Sequence, residues 1–289
     1  MMRLALSTGF LNPRSLEELI RVCEQSGTRE IEVWAHDGLF TELTDTQRVR
    51  RSLAARGITV VSVHSPFKND GVLRSVETDA YLRRFDETCR NAERLEAEFI
   101  VAHPLVVDDE RWVEHEAPPE GMPRSFRLWR RLAESSQSRG LQIAFENVPR
   151  SRAWPRGCRL GPLAVIVNVL AMENVGLCLD LSHCFANRDD PVAFLSTEER
   201  APLLIHTSDG VPEQDRHLPP GEGDQDWYRL LAQLGGRNYR GPLILEVRSP
   251  YLDGHLVAAM YAYLQDKAGS TGGRSAAYPG GSGSGRIPE

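Results

Sequence analysis

The sequence predicts an α/β protein of the (β/α)8 TIM-barrel class, and three observations carry that expectation. Short aliphatic or β-branched runs alternate with longer helical patterns eight times along the chain. The eight units fit within about 265 residues, close to the roughly 250 of a typical barrel. No Gly-x-Gly-x-x-Gly follows the first run, as the dinucleotide site of a doubly wound sheet would require.

In chain order, the predicted strands are Leu4–Ser7, Glu30–Val33, Thr59–His64, Phe99–His103, Gln142–Glu146, Gly176–Asp180, Leu203–Thr207 and Leu243–Val247. Several are continuous apolar runs, as strands covered on both faces should be. Between them, Ser15 with Glu18 and Thr44 with Gln47 read as capping boxes that open helices. Gly27, Gly57, Gly140 and Gly235 fall where helices should stop. The barrel is expected over residues 1–267. Residues 268–289, AGSTGGRSAAYPGGSGSGRIPE, lack apolar periodicity and read as a disordered Gly/Ser-rich tail.

Composition removes several function classes. Lys plus Arg is 34 against 40 for Asp plus Glu, a net charge of −6, which gives no global attraction to nucleic acid or anionic membrane. No apolar run approaches the roughly 18 residues of a transmembrane helix, and the start MMRLALSTGF lacks a basic region ahead of an apolar block, so the expected compartment is the cytoplasm. The five cysteines are scattered without a C-x-x-C, which argues against a thiolate zinc site. Lysine occurs only at Lys68 and Lys267, which disfavours Schiff-base chemistry.

In a (β/α)8 barrel the C-terminal strand ends build the active site. Strand three ends in His64, strand four in His103, strand five in Glu146, and strand six in Asp180 with His183 just beyond. Strand seven ends in His206, followed by Asp215 and His217, and strand eight ends in Glu246. One such residue alone is usually a satisfied hydrogen-bonder. Nine at one rim would bury several unpaired charges, each at a cost of several kcal/mol, unless divalent cations neutralise the carboxylates and use the imidazoles. Nitrogen and oxygen donors without thiolate suit zinc, manganese, iron(II) or cobalt. One ion would take Glu146, Asp180, His206 and Glu246; a second, His64 and His103 with Glu146 bridging; a third, His183, Asp215 and His217. Between one and three ions per chain are therefore expected.

At these residues the chain resembles the xylose isomerase-like barrel superfamily, over roughly Leu4 to Gln265. That superfamily includes sugar and sugar-phosphate isomerases and epimerases, and also the endonuclease IV-type apurinic-site endonucleases. The resemblance implies that Glu146, Asp180, His206 and Glu246 bind one divalent ion. In the endonuclease branch, residues matching His64, His103, His183, Asp215 and His217 complete a trinuclear zinc cluster. The segments HSPF, ENVP and DRHLPPGEGDQDW look more like the isomerase and epimerase-like members.

The favoured expectation is a metal-dependent isomerase or epimerase of a small carbohydrate-like substrate, with Glu146 and Glu246 as base and acid. His183 and Arg216 would orient hydroxyl oxygens, and Trp34, His36 and Trp112 would wall the pocket. The alternative is a multinuclear zinc phosphodiesterase of the apurinic-site type, for which Phe67, followed by Lys68, is the single wedge candidate. The acidic segment Asp108, Asp109, Glu110, Glu114, Glu116 and Glu120, against Arg111 alone, disfavours a duplex partner. Arg150, Arg152, Arg156 and Arg159 after strand five offer a phosphate or carboxylate contact. A non-catalytic metal scaffold is the third reading.

Overall fold

The computed structural model describes residues 2–11, 13–35, 46–68, 70–108, 110, 120–150, 158–249 and 253–269. Eight parallel strands close into a barrel: β1 (Arg3–Ser7), β2 (Glu30–Trp34), β3 (Thr59–His64), β4 (Phe99–Ala102), β5 (Gln142–Glu146), β6 (Val175–Asp180), β7 (Leu204–Thr207) and β8 (Pro242–Leu245). Each strand pairs with its sequence neighbours, and β8 closes on β1 with Arg3 opposite Pro242 and Leu6 opposite Leu245. His103 and Glu246 lie one residue beyond β4 and β8.

The helices outside this wall are α1 (Leu16–Ser26), α2 (Thr46–Ala54), α3 (Thr78–Arg94), α4 (Pro123–Gln137), α5 (Leu160–Leu170), α6 (Leu181–Asn187), α7 (Pro191–Thr197), α8 (Trp227–Gly236) and α9 (Gly254–Gly269). Ser15 caps α1 as expected, its Oγ accepting from Glu18 N, while Glu18 turns back to Arg14 N rather than completing a box. The C-cap glycine Gly27 adopts φ 72°, in the left-handed region. Gly235 departs from expectation: α8 continues through Gly236, and Asn238 at φ 52° takes the left-handed position instead. The last helix runs to Gly269, two residues past the expected domain boundary; residues 270–289 and Thr44 lie outside the described residues.

Strand periodicity divides the core and aims the site. Ala5, Val61, Phe99, Val101, Ala144, Cys178, Leu204 and Ile244 pack together inside the barrel, while neighbours such as Leu6, Ile143, Phe145, Leu179, Ile205 and Leu245 pack outward against helices. Side chains alternate with period two, so the residue two beyond a plug residue also points inward, one layer higher; β3 departs from this, because the register shift at Val61 turns Ser62 and His64 inward and Val63 outward. Val101 thus leads to His103, Ala144 to Glu146, Cys178 to Asp180, Leu204 to His206 and Ile244 to Glu246. β2 contributes no apolar residue to the plug, and its inward positions are Glu30 and Glu32. Glu30 seals the bottom through Arg3 (Oε1 to Nη2, 2.8 Å), which also reaches Glu98 (2.9 Å).

Candidate metal centre

The nine expected donors converge at the C-terminal mouth. Donor atoms of Glu146, Asp180, His206 and Glu246 lie within 4.8 Å of one another, as do those of His64, His103 and Glu146. The third group differs from expectation: Asp180, not Asp215, completes the close set with His183 and His217. Asp215 Oδ1 nevertheless lies 3.0 Å from His217 Nε2 and 3.7 Å from His183 Nε2. Glu146 holds the bridging position. Its Oε2 is 3.1 Å from His64 Nε2 and 3.0 Å from His103 Nε2, and its Oε1 is 3.3 Å from His206 Nδ1.

Backbone carbonyls orient three of the imidazoles. His64 Nδ1 donates to Ser65 O (3.0 Å), His183 Nδ1 to Asn147 O (2.7 Å) and His217 Nδ1 to Glu246 O (3.0 Å). A carbonyl carries no proton, so each Nδ1 must be the protonated nitrogen and each Nε2 is left to offer a lone pair. His206 is turned the other way. Its Nε2 donates to Glu32 Oε2 (3.1 Å), and its Nδ1 faces Glu246 Oε2 (2.7 Å) and Asp180 Oδ2 (3.6 Å).

These contacts fit a cation. Asp180 Oδ2 and Glu246 Oε2 are buried without a hydrogen-bond donor among the described residues, yet both face one imidazole nitrogen. Electron-pair donors gathered without protons between them are what a divalent ion requires. Without an ion, the cluster balances itself by proton uptake. Burial opposes a charge on His183, but Asp180, Glu146 and Asp215 outweigh it and raise its pKa to about 10. His206 is likewise raised, by Cys178 and then by Glu246, Glu32 and Glu146 against burial. Burial wins at His103, which falls to about 4 despite Glu146. Burial would raise Glu146, but His206 and His103 hold its carboxyl well below the usual range.

Residues not singled out from the sequence support this cluster. Glu32 is fully buried and accepts from Ser7 Oγ (3.1 Å), Ser62 Oγ (2.9 Å) and His206. Its signal was a carboxylate at an inward position of EIEVW. Asn147 ties β5 to β6 by accepting from Asp180 N (2.7 Å) and donating to Asp180 O (2.9 Å). Asp180 Oδ1 in turn accepts from His183 N (2.7 Å) and so caps α6. Ser182 Oγ accepts from His217 N (2.9 Å) and donates to Asp215 (3.1 Å), docking the hairpin Asp209–Val211/Gln214–Leu218 onto α6.

The DRHLPPGEGDQDW segment has its own anchor. Buried Asp209 accepts from Gly210 N (2.9 Å), Gly221 N (2.8 Å), Gln225 N (2.9 Å) and Trp227 Nε1 (2.9 Å). A Cβ at Gly223 would stand 2.4 Å from Asp209 Oδ1 and 2.5 Å from Gly210 O, so this loop can wrap the carboxylate only with glycine there.

Above the donors lies a pocket of about 230 Å³, walled by Phe10, Trp34, Phe67 and Pro149, with Arg248 at its rim. Phe67 stacks on His103 with centroids 4.6 Å apart, and Trp34 lies 5.1 Å from His64. Trp34 and Phe67 both line the pocket. Arg216 does not line the pocket. It sits between Asp215 and His217, so the same alternation that turns those two inward turns it to solvent, where it bonds Gln214 (3.2 Å). Lys68 pairs with Glu77 (2.7 Å) rather than lining the pocket. His36 and Trp112 lie outside the described residues.

The electrostatic expectations also change. Glu110 turns inward to accept from Arg124 N (2.9 Å), Ser125 N (2.9 Å) and Ser125 Oγ (2.6 Å), closing the start of α4. Asp108 pairs with Arg124 (2.7 Å). These two acids are thus engaged in local structure; Asp109, Arg111, Glu114 and Glu116 lie outside the described residues, and Glu120 is exposed. Arg159 is bound to Asp189 (2.5 Å), Arg150 is exposed, and Arg152 and Arg156 lie outside the described residues. No described helix is long and apolar enough to cross a membrane.

Comparison with known proteins places these features in a family. A 3-dehydroshikimate dehydratase of Pseudomonas aeruginosa is 29% identical over 248 residues, covering 81% of this chain and 36% of that enzyme. An uncharacterized protein of Methanocaldococcus jannaschii is 25% identical over 194 residues, 64% of each chain, so this chain spans less than two thirds of either relative. Among solved structures, a D-tagatose 3-epimerase-like protein superposes with TM-score 0.77 at 18% identity, covering 92% of this chain and 97% of that one. The IolI protein with a zinc atom gives 0.75 at 20%, covering 92% and 98%. At these identities the superpositions speak for the fold alone. The model of the xylose isomerase-like TIM barrel matches residues 20–266, and the chain belongs to that family.

Proposed function

We propose that this chain is a divalent-metal-dependent isomerase or epimerase of a small carbohydrate-like substrate. The observation that carries the reading is the placement of Glu146 and Glu246. Both are buried at the floor of one small pocket, and both face His206 Nδ1, at 3.3 and 2.7 Å. They come from β5 and from the end of β8, and so approach a substrate over the cluster from different sides. A bound divalent ion would draw electron density from a carbonyl and its neighbouring hydroxyl and so acidify the intervening C–H. Glu146 on one side would take that proton and Glu246 on the other would return one, inverting or moving the stereocentre. His183, exposed to the pocket through Nε2, would hold a hydroxyl oxygen. Phe10, Trp34 and Phe67 would exclude water and pack the apolar face of the carbon chain.

A pocket of about 230 Å³ leaves room for one small molecule. The epimerases and the dehydratase among the relatives support proton transfer beside a carbonyl as the family chemistry. The test is solvent deuterium exchange into a panel of ketoses and keto acids by the metal-loaded protein. Exchange lost in Glu146→Gln and Glu246→Gln is expected, and no exchange with any member of the panel would count against the reading.

One observation favours a second reading. The five further donors, His64, His103, His183, Asp215 and His217, assemble beside the quartet, although a single-ion epimerase does not need them. This supports a multinuclear phosphodiesterase. Metal content near three per chain with cleavage of an abasic-site duplex would select it; content near one with no cleavage would remove it.

A further inference from the structure

We propose that Arg248 makes this pocket selective for substrates bearing a carboxylate or phosphate, so that its natural ligand is a small anionic hydroxy compound rather than a neutral sugar. The inference deepens the small-molecule reading of the site and rests on it. Arg248 stands two residues beyond Glu246, and at that spacing it shares the pocket-facing side of the chain as it leaves β8. Its backbone N donates to His217 O (2.8 Å), which ties its root to the hairpin that carries Asp215. Its guanidinium lies over the Phe10 ring, 4.7 Å from the centroid. Stacking in this way leaves the in-plane N–H donors free to grip two oxygens at once.

Of the other described arginines near the mouth, Arg150 is exposed and outside the pocket lining, and three are committed elsewhere. Arg216 faces solvent with Gln214, Arg159 holds Asp189, and Arg124 holds Asp108 and Glu110. Arg248 forms no ion pair with any described carboxylate, and among the described residues that line the pocket it is the one arginine or lysine. When divalent ions neutralise Glu146, Asp180 and Glu246, the positive charge of Arg248 is left to be met by the ligand. A substrate chelated at the cluster through a carbonyl and hydroxyl would then place its anionic end under the guanidinium.

The experiment titrates metal-loaded protein calorimetrically with glycerate, glycerol phosphate and erythritol, in wild type, Arg248→Gln and Arg248→Lys. We expect at least one of the two anions to bind wild type tenfold or more tighter than erythritol, and the stronger of them identifies carboxylate or phosphate. Arg248→Gln should lose about tenfold for that anion, with metal content and erythritol binding unchanged, and Arg248→Lys should recover only part of it because lysine keeps the charge without the fork. Equal binding of anions and erythritol, or unchanged anion binding in Arg248→Gln, would overturn the proposal. Arg248-dependent anion binding without deuterium exchange sinks the isomerase reading alone. Deuterium exchange by the wild type with anion binding unchanged in Arg248→Gln sinks the selectivity proposal alone.

Discussion

Replacing Glu32 by Gln tests whether the barrel interior tunes the metal centre from below. Glu32 is 0% exposed and receives three hydrogen bonds, from Ser7, Ser62 and His206 Nε2. Its carboxylate fixes the proton of His206 on Nε2 and keeps the Nδ1 lone pair aimed at Glu146, Asp180 and Glu246. An amide in the same volume keeps the packing but removes the charge. It also offers an N–H that can donate to Nε2, which would move the imidazole proton to Nδ1 and block the donor. Loss of such a partner typically weakens a metal ten- to a hundredfold, about 1.4–2.7 kcal/mol. The assay is chelator competition with Zn²⁺ and Co²⁺, together with the Co²⁺ visible spectrum. Glu32→Asp, which keeps the charge, should recover part of the affinity. Metal binding in Glu32→Gln within twofold of wild type, with an unchanged Co²⁺ spectrum, would refute the reasoning.

Glu246→Gln should abolish deuterium exchange and weaken one ion while leaving the thermal midpoint of the metal-free protein within a few degrees, as calorimetry would read. His217→Ala should leave an epimerase largely active but cripple a three-ion hydrolase, a contrast visible in the two activity assays. Asp209→Ala strips four donors of their acceptor and should lower stability by about 2–4 kcal/mol in urea unfolding, with reduced protection of the 214–225 backbone in hydrogen exchange. In metal-free protein, the pKa of His183 is raised from 6.5 to about 10. Its ionic contribution to stability is therefore fully present below about pH 6.5 and lost as pH rises through 10. Because an incoming ion must displace that proton, apparent metal affinity should climb by up to about tenfold per pH unit below 10; a flat affinity between pH 6 and 8 would contradict this.

The barrel was legible because each strand is a compact aliphatic run and each unit ends on a readable signal. The nine donors were legible because strand ends point one way in this architecture, so His64, His103, Glu146, Asp180, His206 and Glu246 could be placed by counting. The support beneath them was not. Glu32 lies in mid-strand, and only barrel closure brings it beneath His206, 174 residues away in the chain. Asp209 reads as an ordinary turn residue until the loop from Gly221 to Trp227 folds back over it. Arg216, expected to orient hydroxyl oxygens, is turned away by alternation on the hairpin.

The linear order of residues determined the parity of most strands, and with it which chemical groups would look into the barrel and at what height; in β3 the register shift at Val61 set it instead. Closure of the barrel decided which of those groups meet. Hydrogen bonds to the backbone carbonyls of Ser65, Asn147 and Glu246 and to the Glu32 carboxylate chose the nitrogen that His64, His183, His217 and His206 present, and a hairpin outside the sheet supplied Asp215 and His217. Those outcomes depend on distances between segments far apart in sequence, which local preference does not encode and packing alone can set.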